Sequence, residues 1–314
     1  MDKILVTGGA GFLGTHLIDR LLSLGHEVVC IDKNIDGIIN NHSKGLTIIE
    51  ADLLDYHLLD VVVGSCDYVI HLAALVGVKN GLDFPHETME NNFTLTMKIA
   101  ELCMKHDIGM FFSSTSEIYG TNPVMPLRED SDRVIGPSWK DRWAYSDSKA
   151  LAERMLISYS KSKGLKVKIG RLFNTVGPGQ SLKAGMVMPT LISAAATGAP
   201  LTIYGNGKQT RSFCHVSDTV AGVLKVISDG DNAGVYNIGS CDDVTINQLA
   251  RQVIKRLKSS SEIVYLEYKD LHLGHQDILK RVPDTSKLQS LGWSAAHSLD
   301  YIIDDIYTKD WKKA

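Results

Sequence analysis

Thr7-Gly8-Gly9-Ala10-Gly11-Phe12-Leu13-Gly14 decides the fold. The stretch follows the apolar, β-branched run Ile4–Thr7 and opens the helical pattern Phe12–Leu24, with Gly25 at a C-cap-like position. Its glycines at 8, 11 and 14 spell G-x-x-G-x-x-G between a strand and a helix. Gly8 suits a tight turn, Gly11 lets a pyrophosphate approach the backbone, and Gly14 lets the helix lie close on the strand. N–H groups at the start of the helix, with its dipole behind them, favour the phosphates, so Phe12 and Leu13 join the cofactor set. A second strand, Val28–Asp32, ends on a carboxylate suited to both ribose hydroxyls and repellent to a 2′-phosphate. That favours NAD over NADP. Asp52-Leu53, ending the third strand, is placed to meet the adenine, although an Asp after a strand is by itself a turn former.

Outward from this turn, β-branched runs alternate with helical patterns. Strands are expected at Leu46–Glu50, Tyr68–Leu72, Met110–Ser113 and Val167–Phe173, and long helices at Glu87–Lys105 and Tyr145–Lys161. Near-continuous apolar strands fit a parallel sheet covered on both faces. The fold class is α/β, a Rossmann-type doubly wound parallel sheet with a smaller α/β substrate-binding domain. After Asn174 the texture changes, with loop signals at Gly177-Pro178-Gly179 and Gly205-Asn206-Gly207. Helices are expected near Met186–Thr197, Val216–Ser228 and Ile246–Leu257, and short strands near Leu201–Tyr204 and Ile263–Leu266. Val235–Ile238 returns to the first sheet. The expected domains are 1–173 with about 213–240 for the dinucleotide, and about 174–212 with 241–314 for the substrate.

Composition narrows the function classes. The chain has 314 residues, 33 Lys+Arg against 36 Asp+Glu and a formal charge of -3. That balance offers no broad basic surface for nucleic acid. No apolar run reaches membrane-span length, and Met1 leads directly into a strand, so no membrane and no signal peptide are expected. Five scattered cysteines without C-x-x-C read as reduced thiols in a cytoplasmic protein. His272 and His275 form an H-x-x-H with no neighbouring Cys, better read as a solvated loop than as a metal site.

The chemistry is carried by Tyr145-Ser146-Asp147-Ser148-Lys149. On a helix, i and i+4 share a face, so phenol and ammonium address one site. A tyrosine titrates near ~10, and an ammonium about 5 Å away is worth roughly 3 kcal/mol at an effective dielectric of about 20. Tyr145 then serves as the base for an alcohol whose hydride leaves for NAD. Ser113-Ser114-Thr115 comes after the fifth strand, with Ser113 on the cofactor side and Thr115 able to bond the substrate oxygen.

Seven stretches taken together, namely Thr7–Gly14, Ala51-Asp52-Leu53-Leu54-Asp55, His71-Leu72-Ala73-Ala74, Ser113–Gly120, Tyr145–Lys149, Arg171–Gln180 and Arg211–Asp218, resemble the extended short-chain dehydrogenase/reductase family. These are NAD-dependent epimerases, dehydratases and decarboxylases of nucleotide sugars. The resemblance covers essentially the whole chain. It implies a tightly held NAD, reduced and reoxidised within one turnover, with Leu72, Ala73 and Ala74 beside it. It further implies Phe173 at the nicotinamide, and Asn174, Val187, Arg211 and Arg281 on a UDP-linked sugar. A homodimer through the two long helices is also implied; Met97, Cys103 and Met104 are apolar enough to serve it, and packing within the chain explains them equally well.

Within that family the informative stretch is Thr115-Ser116-Glu117. Simple 4-epimerases usually carry a small or hydroxyl residue where Glu117 stands; Thr-Ser-Glu resembles the UDP-glucuronate decarboxylases and the GDP-mannose type of 4,6-dehydratase. The approach Arg142-Trp143-Ala144-Tyr145 resembles the aminoarabinose-pathway decarboxylase, and Pro200–Arg211 resembles UDP-xylose synthases. The leading expectation is therefore UDP-glucuronate decarboxylation, with Tyr145, Lys149, Thr115, Ser116 and Glu117 as catalytic residues. Alternatives are a UDP-sugar 4-epimerase, a 4,6-dehydratase, a reductase that releases NAD(P)H, and an NAD-sensing protein without turnover.

Overall fold

The structure, a computed structural model, describes residues 1–38, 43–76, 78–182, 186–267 and 278–312. In chain order the elements are β1 (Lys3–Thr7), α1 (Phe12–Ser23), β2 (Glu27–Asp32), β3 (Leu46–Glu50), α2 (Leu59–Gly64), β4 (Tyr68–His71), α3 (Val78–Asp83), α4 (Pro85–Lys105) and β5 (Gly109–Thr115). They continue with α5 (Ala144–Lys163), β6 (Val167–Leu172), β7 (Thr175–Val176), α6 (Val187–Thr197), β8 (Leu201–Tyr204), β9 (Thr210–Ser212), β10 (Cys214–His215) and α7 (Val216–Asp229). The last are β11 (Val235–Ile238), β12 (Asp243–Thr245), α8 (Ile246–Leu257), β13 (Ile263–Leu266), α9 (Ser286–Gln289) and α10 (Leu299–Asp310).

The main sheet has seven strands in the order β11-β6-β5-β4-β1-β2-β3. The pairs from β3 through β6 are parallel. Ile169 N–H bonds Gly234 O and Phe173 N–H bonds Ile238 O, so β11 advances with β6 as well. The chain works outward from β1 to one edge and then returns to β4 and builds to the other. That reversal beside β1 is the switch point at which doubly wound sheets bind ligands. Interior strands such as β5 are buried almost throughout, whereas edge strand β3 alternates with exposed positions.

Two compact units share the chain: 1–118, 136–172 and 220–236 in one, and 119–135, 173–219 and 237–314 in the other. The core of the first includes Leu5, Ile31, Val69, Phe112, Leu156 and Ile169. Each such side chain taken out of water contributes roughly 1.5–3 kcal/mol. The second has its own core of α6, α8 and α10, including Leu191, Ile192, Leu249, Val253 and Ile303. There α8 opens with a reciprocal cap, Thr245 accepting from the Gln248 N–H and Gln248 accepting from the Thr245 N–H. Residues 119–135, assigned from the sequence to the dinucleotide part, group with the second unit: Leu127 pairs with Val282 and Asp284 through backbone hydrogen bonds.

Of the two readings of Met97, Cys103 and Met104, packing within the chain holds. Met97 and Cys103 face the core of the first unit and Met104 packs against it, so none of the three forms an exposed apolar group. The exposed apolar residues of the long helices are Met89 and Leu151. His272 and His275 lie outside the described residues. Among the described residues no helix is long and apolar enough to cross a membrane.

Candidate active site

The phosphate turn joins β1 to α1. Gly8 has φ +69, and a Cβ there would sit 2.7 Å from Ala73 N, so the turn and the loop after β4 touch backbone to backbone. At Gly14 a Cβ would lie 2.6 Å from Gly8 O and Gly9 O, which explains why α1 can start so close to the strand. Gly11 differs: beyond its neighbours a Cβ would meet only Gly8 O, at 3.3 Å. The turn is therefore closed on two sides and open at the start of α1, a cradle that fits a pyrophosphate. Phe12 and Leu13 occupy the first turn of that helix.

Asp32, at the end of β2, accepts from Ala10 N–H at 3.1 Å and from Asn34 N–H at 3.2 Å. The carboxylate thus ties the glycine turn to the loop that follows β2. Asp52 is exposed, and its carboxylate accepts from Leu54 N–H at 2.9 Å, the turn-forming role open to any Asp after a strand. Leu53 is buried. Lys98 of α4 donates to Leu53 O at 2.9 Å and Leu54 O at 2.6 Å and so fixes this loop. The Leu72-Ala73-Ala74 loop is held from below by His71. Its ring bonds Thr7 Oγ1 at 2.7 Å and Thr96 Oγ1 at 3.1 Å, and complete burial keeps it neutral, with a pKa pulled down to about 3. Asn92 extends the support: its side chain accepts from Leu75 N–H and donates to Leu75 O and to Ser148 Oγ.

Five candidate catalytic residues come together in the first unit. Thr115 ends β5; Ser116 and Glu117 follow in a 3-10 turn (Ser116–Tyr119); Tyr145 and Lys149 lie one turn apart on α5. All five are buried. The Tyr145 phenol hydrogen-bonds Thr115. Thr115 Oγ1 also accepts from Glu117 N–H at 3.2 Å, and Ser146 Oγ donates to Glu117 O at 2.9 Å. Helix α5 therefore holds both the tyrosine and the backbone of the glutamate.

The electrostatics differ from the expectation built on i, i+4 spacing alone. Lys149 Nζ donates to Ser113 O at 2.9 Å and lies 4.6 Å from the Phe112 ring centroid. Burial lowers its pKa to about 7, with Glu153 acting in the opposite sense. The Tyr145 phenol is raised above its usual value, first by burial and then by the nearby Glu117 carboxylate, while the Thr115 hydrogen bond acts to lower it. Desolvation thus outweighs the help expected from the lysine.

Three charged side chains that the sequence reading left without a role complete this unit. Arg142 Nη2 stands 2.7 Å from Glu117 Oε2, with side-chain exposures of 6% and 11%. The approach is that of a close ion pair rather than an aligned hydrogen bond at that oxygen. The guanidinium also lies 4.9 Å from the Trp143 ring centroid. Glu153 and Arg171 form a second buried pair behind Lys149, joined by Nε–Oε1 at 3.1 Å and Nη2–Oε2 at 2.8 Å. For Glu153, the available signal was the four-residue spacing of Tyr145, Lys149 and Glu153 along α5.

The remaining candidates belong to the second unit. Phe173 is buried, and a Cβ on Gly239 would sit 2.6 Å from the Phe173 Cβ. Asn174 donates to Ser212 O at 2.8 Å. Val187 opens α6. Arg211 Nη1 donates to Thr210 O at 2.8 Å and Ile278 O at 2.7 Å, so part of this cation is committed to the backbone. Arg281 is 7% exposed.

The chain is similar along most of its length to nucleotide-sugar decarboxylases and epimerases. It is 37% identical over 296 residues to a UDP-N-acetyl-alpha-D-glucosaminuronate decarboxylase of Bacillus cytotoxicus, covering 92% of this chain and 91% of that one. It is 33% identical to UDP-glucuronic acid decarboxylase 6 of Arabidopsis thaliana, covering 93% and 83%. The crystal structure of a UDP-glucuronic acid 4-epimerase from Bacillus cereus, in complex with UDP-glucuronic acid and NAD, superposes with a TM-score of 0.87 at 26% identity, covering 99% of this chain and 100% of that one. With its glycine cradle, its Tyr145/Lys149 helix and a family model matching residues 4–239, the chain belongs to the NAD dependent epimerase/dehydratase family.

Proposed function

We propose that the protein is an NAD-dependent decarboxylase of a UDP-hexuronate, either UDP-glucuronate or its 2-acetamido counterpart. One observation carries the choice of reaction: a buried carboxylate, Glu117, is locked beside Tyr145 and paired with Arg142. A 4-epimerase needs oxidation at C4, rotation of the keto sugar and reduction. None of these three steps calls for a fixed carboxylate against the base, and its charge opposes formation of a tyrosinate. Its retention points to chemistry at C5. The two decarboxylases reported above support the same reading.

The glycine cradle at Gly8, Gly11 and Gly14, with Asp32, Leu53, Ala73 and Ser113 around it, would hold the dinucleotide. NAD bound there would supply reversible hydride acceptance from C4 and a positive ring that favours a tyrosinate. Tyr145 takes the C4 hydroxyl proton, and Thr115 holds the phenol. Oxidised at C4, a hexuronate is a β-keto acid. Its C5–carboxylate bond then breaks with the electron pair passing into a C4–C5 enolate. Glu117 and Ser116 orient the C5 substituents; CO2 leaves, an acid or water returns a proton to C5, and Tyr145 gives its proton back to the C4 oxygen as C4 is reduced. Phe173, Asn174, Val187, Arg211 and Arg281 are proposed for the nicotinamide side and for the nucleotide diphosphate, where paired cations match the charge.

Mass spectrometry and NMR of the product from UDP-glucuronate, and separately from its 2-acetamido analogue, test this. Loss of the mass of CO2 is expected. Unchanged mass with a new galacturonate signal would establish the 4-epimerase, a reading favoured by the Bacillus cereus structure. Glu117→Ala is expected to remove decarboxylation more than hydride exchange at C4; equal loss of both would make Glu117 structural.

We further propose a homodimer in which α4 and α5, with Met89 and Leu151 exposed, meet their own copies. Light scattering after size exclusion is expected to give twice the chain mass; a monomer at micromolar concentration rejects it.

A further inference from the structure

Tyr145, Lys149 and Glu153 occupy positions i, i+4 and i+8 of α5, one above another on the buried face. Glu153 is 4% exposed and is gripped by Arg171 from β6, whose side chain is 11% exposed. Three N–H···O contacts of 2.8 to 3.3 Å join them, a fork that fixes the carboxylate on the lysine's helix. Lys149 itself meets a carbonyl, Ser113 O, and an aromatic ring, Phe112. Among the described residues, titratable groups near it include the neutral His71 of β4 and Tyr145, one turn away on α5. Glu153 is the anion that acts to keep this buried lysine charged.

We propose that Glu153, clamped by Arg171, is the positioning residue for the Tyr145–Lys149 couple: it keeps Lys149 ionised so that the proton can leave Tyr145 rather than the lysine. The couple acts as a base only with the phenol deprotonated and the amine protonated. Below the pH at which the couple gives up its first proton, the population of that form depends on the tyrosine alone. Above it, the population depends on how the remaining proton divides between the two groups, and there Glu153 decides. Removing the Glu153 charge should therefore leave the rate at acid pH unchanged, move the acid limb to lower pH, and lower the plateau by the matching factor. A limb moved by about one pH unit goes with a plateau about tenfold lower. A purely structural role would lower the rate alike at every pH.

Glu153→Gln strands Arg171 without its partner and is prone to misfold. The working variant is E153M/R171M, which removes both charges at similar volume; Glu153→Asp, which keeps the charge, should restore the wild-type profile. Two readouts are needed. In protein labelled with 13Cε-lysine, with the Lys149 resonance assigned by its loss in Lys149→Met, the resonance should titrate at lower pH in the double variant than in wild type. In single turnover, cofactor reduction at 340 nm on mixing with UDP-glucuronate should show the pH pattern above. The kinetic arm rests on the proposed function; the NMR arm does not. A Lys149 titration unchanged in the double variant overturns the proposal, and so does a pH-independent loss of rate. A shifted titration in a protein whose wild type never reduces its cofactor with UDP-glucuronate supports the electrostatic role of Glu153 and rejects the sugar instead.

Discussion

Tyr145→Phe should lower turnover by ~10²–10⁴-fold, the range for loss of a general base, and leave the cofactor in place. Tyr145 is 9% exposed, and phenylalanine fills the same space, so the fold should survive. What is lost is the oxygen that hydrogen-bonds Thr115 and takes the C4 proton. Because burial and the Glu117 carboxylate hold that phenol above its usual pKa, the base exists only when the rest of the site offsets them. No neighbouring hydroxyl can replace it, since Thr115 is a far weaker acid. The hydroxyl matters as a base only in the transition state, so kcat and kcat/KM should fall together with KM little changed. The checks are the rate of product formation and the NAD released by denaturing the purified variant. Residual turnover above a tenth of wild type, with NAD content intact, would move the base elsewhere, and Glu117 would be the first alternative.

The parts of this site that follow a one-dimensional rule were legible in the sequence. A strand, a glycine turn and a helix must be contiguous, so Thr7–Gly14 announced both the sheet and its ligand edge. The i, i+4 spacing put Tyr145 and Lys149 on one helix face. Two-residue strands such as β7 and β10 carry no periodicity and were missed. Helix α10 did carry signals, a Ser298 cap and buried Ile302, Ile303 and Ile306, yet its acidic surface hides them. Pairings between distant segments had no local signature. Arg142 reads as surface charge until the fold sets it against Glu117, 25 positions earlier by the numbering of that ion pair. For Arg171, β6 lying beside β5 is what brings it under α5. Spacing shows that Lys149 is near Tyr145 and not the desolvation that raises the phenol.

Arg142→Met is expected to destabilise the fold by ~3–5 kcal/mol, the usual result of removing one member of a buried ion pair. The Glu117 carboxylate would remain 11% exposed without its counter-ion, its backbone still held by Thr115 and Ser146. Glu117→Gln alone should cost less, because Arg142 keeps its contact with the Trp143 ring. The combined Arg142→Met/Glu117→Gln variant removes the stranded charge and should regain much of the stability lost in Arg142→Met. A coupling of about 0.5–3 kcal/mol, read from urea unfolding of the four proteins, would measure the pair. Activity should not follow stability. If Glu117 handles the C5 substituents, the double variant folds and still fails to release CO2, whereas a pair that serves only the fold would regain decarboxylation along with stability. Arg142→Met as stable as wild type would mean that Glu117 needs no cation from Arg142 to hold its place beside Tyr145.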